Sequence, residues 1–140
     1  MKIKATVGVI LNQDKDKVYL SLRQKHQSYE GFWEFPGGKV EESETYVDCL
    51  TRELYEEVGI SVKEFALLEK KDYLNKDNIH IFLEFYLVSE YVNIPEAREG
   101  QKLELVSISD IHKYNILPAS FSVIDILKSK LTNEIAKNND

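Results

Sequence analysis

From Ser43 to Val58 the apolar residues Val47, Leu50, Leu54 and Val58 return every three or four positions, a spacing that lines one face of an α-helix. Ser43 is a candidate N-cap, and Gly59 supplies the left-handed stop that ends many helices. Inside this predicted helix Glu53, Glu56 and Glu57 stand at i, i+3 and i+4, so they share a patch beside the apolar stripe. They fall in the last turns, where the helix dipole is negative and each carboxylate is disfavoured by roughly 0.3–1 kcal/mol. One guanidinium, Arg52, cannot balance three acids. Local helix stability gives no reason for the arrangement, and at this point a solvated acidic face and a ligand site both stay open.

The remainder of the 140 residues alternates strands and helices. Ile3 to Asn12 and Val18 to Arg23 are β-rich and flank the polar stretch Gln13 to Asp16, which predicts a hairpin. Ile79 to Val88 is apolar on both alternating faces and reads as a central strand, with further strands at Phe65 to Leu74 and Leu103 to Ile108. Ser109 begins a short helical turn, and Val123, Ile124, Leu127 and Leu131 predict a second helix over Ser120 to Leu131. These elements describe a mixed α/β domain with helices packed on a sheet. One domain is expected over residues 1–132, with a frayed tail over 133–140.

Composition narrows the function. The 43% hydrophobic content suits a packed core, and one cysteine, Cys49, excludes an internal disulfide and suits a reducing cytoplasm. The apolar run Ala5 to Leu11 is far short of the ~20 residues that span a bilayer, so neither membrane insertion nor secretion is expected. With 18 Lys+Arg against 24 Asp+Glu the formal charge is −6, which disfavours a stable nucleic-acid partner. A protein of this charge that handles phosphates needs positive charge from elsewhere.

Upstream of the acids, Gly37 and Gly38 allow close backbone approach to a ligand, and Lys39 follows them. From Gly38 through Glu44 to Arg52-Glu53-Leu54-Tyr55-Glu56-Glu57-Val58-Gly59-Ile60, the chain matches all nine fixed positions of GX5EX7REUXEEXGU, with U aliphatic. This pattern resembles the box of the Nudix hydrolases, enzymes that use magnesium to hydrolyse nucleoside diphosphates linked to another moiety. The resemblance implies an α/β/α sandwich with a mixed central sheet and a loop–helix–loop formed by the box. Further similarity, in Val7-Gly8-Val9-Ile10, Glu34 to Glu41, Arg98 to Gln101 and Leu117-Pro118-Ala119, points to the MutT-type branch, which hydrolyses 8-oxo-dGTP to the monophosphate and pyrophosphate in the cytoplasm. That activity cleanses the nucleotide pool and protects DNA replication.

The resemblance implies that Glu53, Glu56 and Glu57 ligate Mg²⁺, or Mn²⁺ in its place, with the Gly38 carbonyl and Glu99 as further ligands. Glu53 is the first candidate for the base that activates water, Glu99 the second, and Lys39 the candidate for holding the leaving phosphate. Glu44 lies roughly opposite Glu53 on the helix and is expected to brace the loop with Arg52. Arg23, Lys25 and His26 close the second strand and are placed to hold phosphates, while Phe35 lies either beside the base pocket or in the core. Two positions depart from the branch. Ser120 stands where the branch has an asparagine that reads the base, and Glu84 replaces an aromatic residue and is expected to help read the base in turn. Other nucleotide substrates ((d)NTPs, dinucleoside polyphosphates, ADP-ribose or capped RNA) stay open at this point, as does a nucleotide sensor without catalysis. A monomer acting on a small-molecule nucleotide is expected.

Overall fold

The structure is a computed structural model that describes residues 1–138, with side chains through residue 133. Two sheets form its frame. The larger has strand order β4-β1-β6-β5, built from β1 (Lys2–Ile10), β4 (Gly37–Lys39), β5 (Ser61–Leu74) and β6 (His80–Val92). β1 runs parallel to β6 from Lys2↔His80 to Ile10↔Val88, whereas β4 and β5 are antiparallel to their neighbours, so the sheet is mixed. The smaller sheet is antiparallel, in the order β3-β2-β7, from β2 (Lys17–Leu22), β3 (Trp33–Glu34) and β7 (Leu103–Ser107).

The expected hairpin between the first two strands forms only at its turn, where Asn12 N–H donates to Lys17 O at 3.0 Å. The Asn12 side chain closes the turn by accepting from the Asp16 and Lys17 amides at 3.0 and 2.9 Å. Beyond the single bridge Leu11↔Val18 the strands part into different sheets. β6 takes one side of β1 along its whole length and β4 takes Ala5–Val7 on the other, while β2 finds its partners in β3 and β7.

Helix α1 (Tyr46–Val58) also begins later than Ser43. Thr45 is its N-cap, accepting from the Asp48 amide at 3.0 Å while Asp48 accepts from the Thr45 amide at 3.1 Å. Ser43 lacks an acid three residues on and instead takes a positive φ of 70° in the preceding turn. The other end matches expectation, with Gly59 left-handed at φ 74°. A 3₁₀ turn at Ile108–Lys113 covers the predicted helical turn, and α2 spans Phe121–Asn138. The segment expected to be a tail therefore falls partly in α2 and partly at residues 139 and 140, which lie outside the described residues.

Two apolar clusters fix the layers. Leu50, Leu54 and Val58 of α1 press on Ile10, Tyr86 and Val88 at one face of the larger sheet. Val9 and Phe85, on the opposite face, join Leu20 and Val106 of the smaller sheet and Val123, Ile124 and Leu127 of α2. The central strand β6 is covered on both faces, as its sequence predicts. Among the described residues no helix is long and apolar enough to cross a membrane.

Candidate active site

The last turns of α1 and the β4 backbone bring the box acids to one place. Gly37 N–H donates to Glu57 Oε2 at 2.9 Å, which ties the carboxylate to the strand. Glu53 lies directly over Gly38: a Cβ built there would fall 2.3 Å from its carboxyl carbon, so the carboxylate keeps this position only above a glycine. The Gly38 carbonyl in turn accepts from the Cys49 thiol at 3.5 Å.

Arg52 organises the outer side of the cluster. Its Nε and Nη2 donate to the two Glu44 oxygens at 2.6 and 3.0 Å, Nη1 donates to Glu53 at 2.8 Å and Glu56 at 3.3 Å, and Nη2 reaches the Lys39 carbonyl at 3.1 Å. Glu44 also accepts from the Glu41 amide at 2.8 Å, which closes the loop before the helix. The guanidinium and that amide hold the Glu44 carboxyl down at about 2.

The segment from Asn93 to Gln101 docks on the end of α1. Glu96 N–H donates to Val58 O, and Arg98 N–H and Gln101 Nε2 donate to Glu57 O, each at 3.0 Å; Asn93 Nδ2 reaches Gly59 O at 3.2 Å. Carbonyls that a helix end leaves without partners are thereby satisfied. The same Gln101 accepts from the Glu99 amide at 2.8 Å, and Gln24 donates to the Glu99 carbonyl at 3.1 Å, so Glu99 is suspended beside the box acids.

Burial, followed by the Glu53 and Glu99 charges, pushes the Glu57 carboxyl up to about 8. Glu53 is raised as well, first by burial and then against the pull of Arg52. A further acid that sequence reasoning gave no role, Glu34 of β3, is half-buried and raised by burial, and it accepts from Arg23 at 2.5 Å. Its signal was a lone acid among aromatic residues in Phe32-Trp33-Glu34-Phe35. A cavity of about 200 Å³ opens at this point, lined among others by Arg23, His26, Glu34, Glu57 and Glu99.

Among the described residues no three His, Cys, Asp or Glu side chains form a ready-made metal cage. The donor set nevertheless suits a hard divalent cation, because oxygen ligands abound and burial, with the neighbouring Glu53 and Glu99 charges added to it, disfavours the Glu57 charge unless a cation meets it.

Other sequence candidates lie elsewhere. Lys25 is exposed in a turn and Lys39 is exposed at the end of β4. Phe35 is 2% exposed and belongs to the core. Glu84 is not brought to this cleft: it shares the α1 face of the sheet with Tyr86, whose hydroxyl it accepts at 2.5 Å, so its charge is met inside the protein. Ser120 is buried at 4% exposure, its amide donating to Leu117 O at 3.0 Å. A second cavity, of about 560 Å³, is lined by Arg23, Tyr29, Lys71, Tyr73 and the Leu117–Ala119 segment among others, and the lining stops short of Ser120.

The model of the NUDIX domain matches residues 2–125. The chain belongs to the Nudix hydrolase family. Nudix hydrolases generally use divalent metal ions, in keeping with the acids gathered here. This Nudix chain is 37% identical over 127 residues to the 8-oxo-dGTP diphosphatase of Escherichia coli K12, covering 91% of this chain and 97% of that protein. It is 35% identical over 133 residues to the 8-oxo-dGTP diphosphatase of Haemophilus influenzae, at 95% and 96% coverage. A solved structure from a study of MutT of Aliivibrio salmonicida and Vibrio cholerae superposes with a TM-score of 0.84 at 33% identity, covering 93% of this Nudix chain and 99% of the other.

Proposed function

We propose that the protein is a magnesium-dependent nucleoside triphosphate diphosphatase that hydrolyses oxidised dGTP to the monophosphate and pyrophosphate, acting as a cytoplasmic monomer in nucleotide-pool cleansing. The observation that carries this reading is the meeting of Glu57 and Glu99, within reach of the Glu53 charge, at a cavity whose wall is shared, through Arg23, with a larger cleft. Phosphates and base would occupy the two cavities in turn. Similarity to the two 8-oxo-dGTP diphosphatases supports the choice of nucleotide.

Glu53, Glu56, Glu57, Glu99 and the Gly38 carbonyl are the groups that would hold the divalent ion, with Mn²⁺ as the substitute for Mg²⁺. When bound, it neutralises the substrate's charge and lowers the energy of the attack on phosphorus. The chain's own residues do the rest. Glu53, raised by burial and set over Gly38, takes the proton of the attacking water, with Glu99 as the alternative base. Water adds to the β-phosphorus, the bond from that phosphorus to the bridging oxygen breaks, and the oxygen leaves with the monophosphate. Lys39 neutralises the departing phosphate, and Arg23 and His26 steady the phosphate chain from the second strand. Arg52 and Glu44 hold the loop and helix in register while this occurs.

A panel of nucleotides incubated with Mg²⁺, with products identified by mass, tests the reading. Monophosphate and pyrophosphate from 8-oxo-dGTP, at a kcat/KM well above that for dGTP, are expected. Tight nucleotide binding without turnover would instead identify a sensor domain.

A further inference from the structure

The cleft next to the acids contains one group that its surroundings do not predict. Lys71 lies on β5 opposite Leu83 of β6, and so on the sheet face that carries Phe85 and the α2 core. A cation on such a face loses hydration and needs partners. Lys71 has two: Nζ donates to the Ala119 carbonyl at 3.2 Å and to Ser122 Oγ at 3.4 Å. The Ser122 hydroxyl in turn donates a hydrogen bond to Glu69 Oε2 at 2.8 Å, so a carboxylate balances the ammonium from behind. An ammonium has three N–H donors and no acceptor. These two contacts leave one donor over, on a residue that lines the 560 Å³ cleft beside Tyr73, Ile81 and Leu117.

The rest of the lining sets aromatic and aliphatic side chains beside polar ones. Tyr29 and Tyr73 lie in its wall, and Lys76 sits 5.7 Å from the Tyr29 ring, joining the β5–β6 turn to the loop after β2. Arg23 belongs to both this cleft and the acidic cavity. Ser120 is buried behind the lining.

We propose that Lys71 is a specificity-determining residue: its free N–H selects a nucleobase that presents a keto oxygen at that edge and rejects one that presents an exocyclic amine. The inference rests on the nucleotide reading given above and extends it. A keto oxygen completes the ammonium's donors, whereas an amine brings donor against donor and leaves the third N–H without a partner on the ligand. Guanine offers O6, and its oxidised form adds O8. Adenine places an amine where guanine has O6.

The test compares wild type with Lys71→Met and Lys71→Gln. Two ratios are measured: kcat/KM for dGTP over dATP with Mg²⁺, and the calorimetric Kd for dGMP against dAMP without turnover. Loss of one hydrogen bond to a charged donor predicts a fall of about tenfold to a hundredfold in the guanine preference of Lys71→Met, expressed in KM and Kd rather than kcat. Lys71→Gln has both a donor and an acceptor and should bind the two bases more equally. A folded Lys71→Met protein whose two ratios stay within twofold of wild type would overturn the assignment while leaving the proposed activity standing. If wild type turns over no nucleotide, the proposed activity fails, and the binding ratios still decide Lys71. Equal binding of dGMP and dAMP by wild type overturns the assignment as well.

Discussion

Replacing Glu57 by Gln should stabilise the protein while abolishing its proposed activity. In the absence of a cation, burial and the charges of Glu53 and Glu99 raise the Glu57 carboxyl from 4.5 to about 8. A carboxyl that binds its proton more tightly when folded favours the fold at low pH. That contribution is complete below pH 4.5 and disappears as the pH rises through about 8. Solvent enters from the cavity side, so the loss by pH 8.5 amounts to about 2–4 kcal/mol. Glutamine carries no charge to desolvate, and its amide oxygen can still accept from Gly37 N–H. The metal-free Glu57→Gln protein should therefore melt roughly 5–10 °C above wild type at pH 8.5 and within a degree or two of it at pH 4. Adding Mg²⁺ should raise the Tm of wild type much more than that of the variant, and kcat should drop by orders of magnitude. Thermal melts at the two pH values, with chelator and with Mg²⁺, make the measurement. A variant less stable than wild type at pH 8.5 in chelator, or equally shifted by Mg²⁺, would refute both the electrostatic strain and the role given to Glu57.

Two further substitutions probe the supports of the cluster. Arg52→Met leaves Glu44, Glu53 and Glu56 without their shared cation and should lower Tm; because Glu44 titrates at about 2 instead of 4.5, the deficit should be full above pH 5 and shrink as the pH falls toward 2, as seen in melts across that range. Gly38→Ala places a methyl group 2.3 Å from the Glu53 carboxyl carbon, and since that carboxylate ends a flexible side chain it can swing aside. Stability should change by about 1 kcal/mol or less while kcat falls at least about tenfold, a split that chemical denaturation and steady-state kinetics resolve together.

Local sequence patterns gave away some of this architecture and hid the rest. The helix over the box was legible because the apolar period, the stop at Gly59 and the acidic face all lie within seventeen residues of one another. The central strand was legible because β6 is apolar on both sides and both are covered. The hairpin expectation held only at its turn, for a reason that short-range patterns cannot carry: β2 pairs beyond it with β7, more than eighty residues away. Glu84 shows the same limit. A charge in a strand announces that something must satisfy it, yet the satisfying group, Tyr86 OH, lies on its own strand and face, away from the cavity. Glu34 and Lys71 went unassigned because each is an ordinary charged residue until the fold sets it among buried neighbours.

The placement of three acids at the negative end of a helix, which local rules disfavour, is resolved by a segment with no regular structure. Donors from Asn93, Glu96, Arg98 and Gln101 cover the carbonyls of Glu57, Val58 and Gly59, so the partial negative charge of the helix end is largely met before any ion is considered. Gly59 is needed twice over, since its left-handed turn ends the helix and a Cβ there would fall 2.5 Å from the Arg98 side chain that packs across it. The same segment delivers Glu99, adding a further acid to the site it has just relieved. The backbone donors therefore reduce the cost of folding the cluster, and the remaining repulsion among side chains stays available to a divalent cation. Had the helix end been left uncovered, both terms would oppose folding, and a chain of this size with a net charge of −6 has little stability to spare.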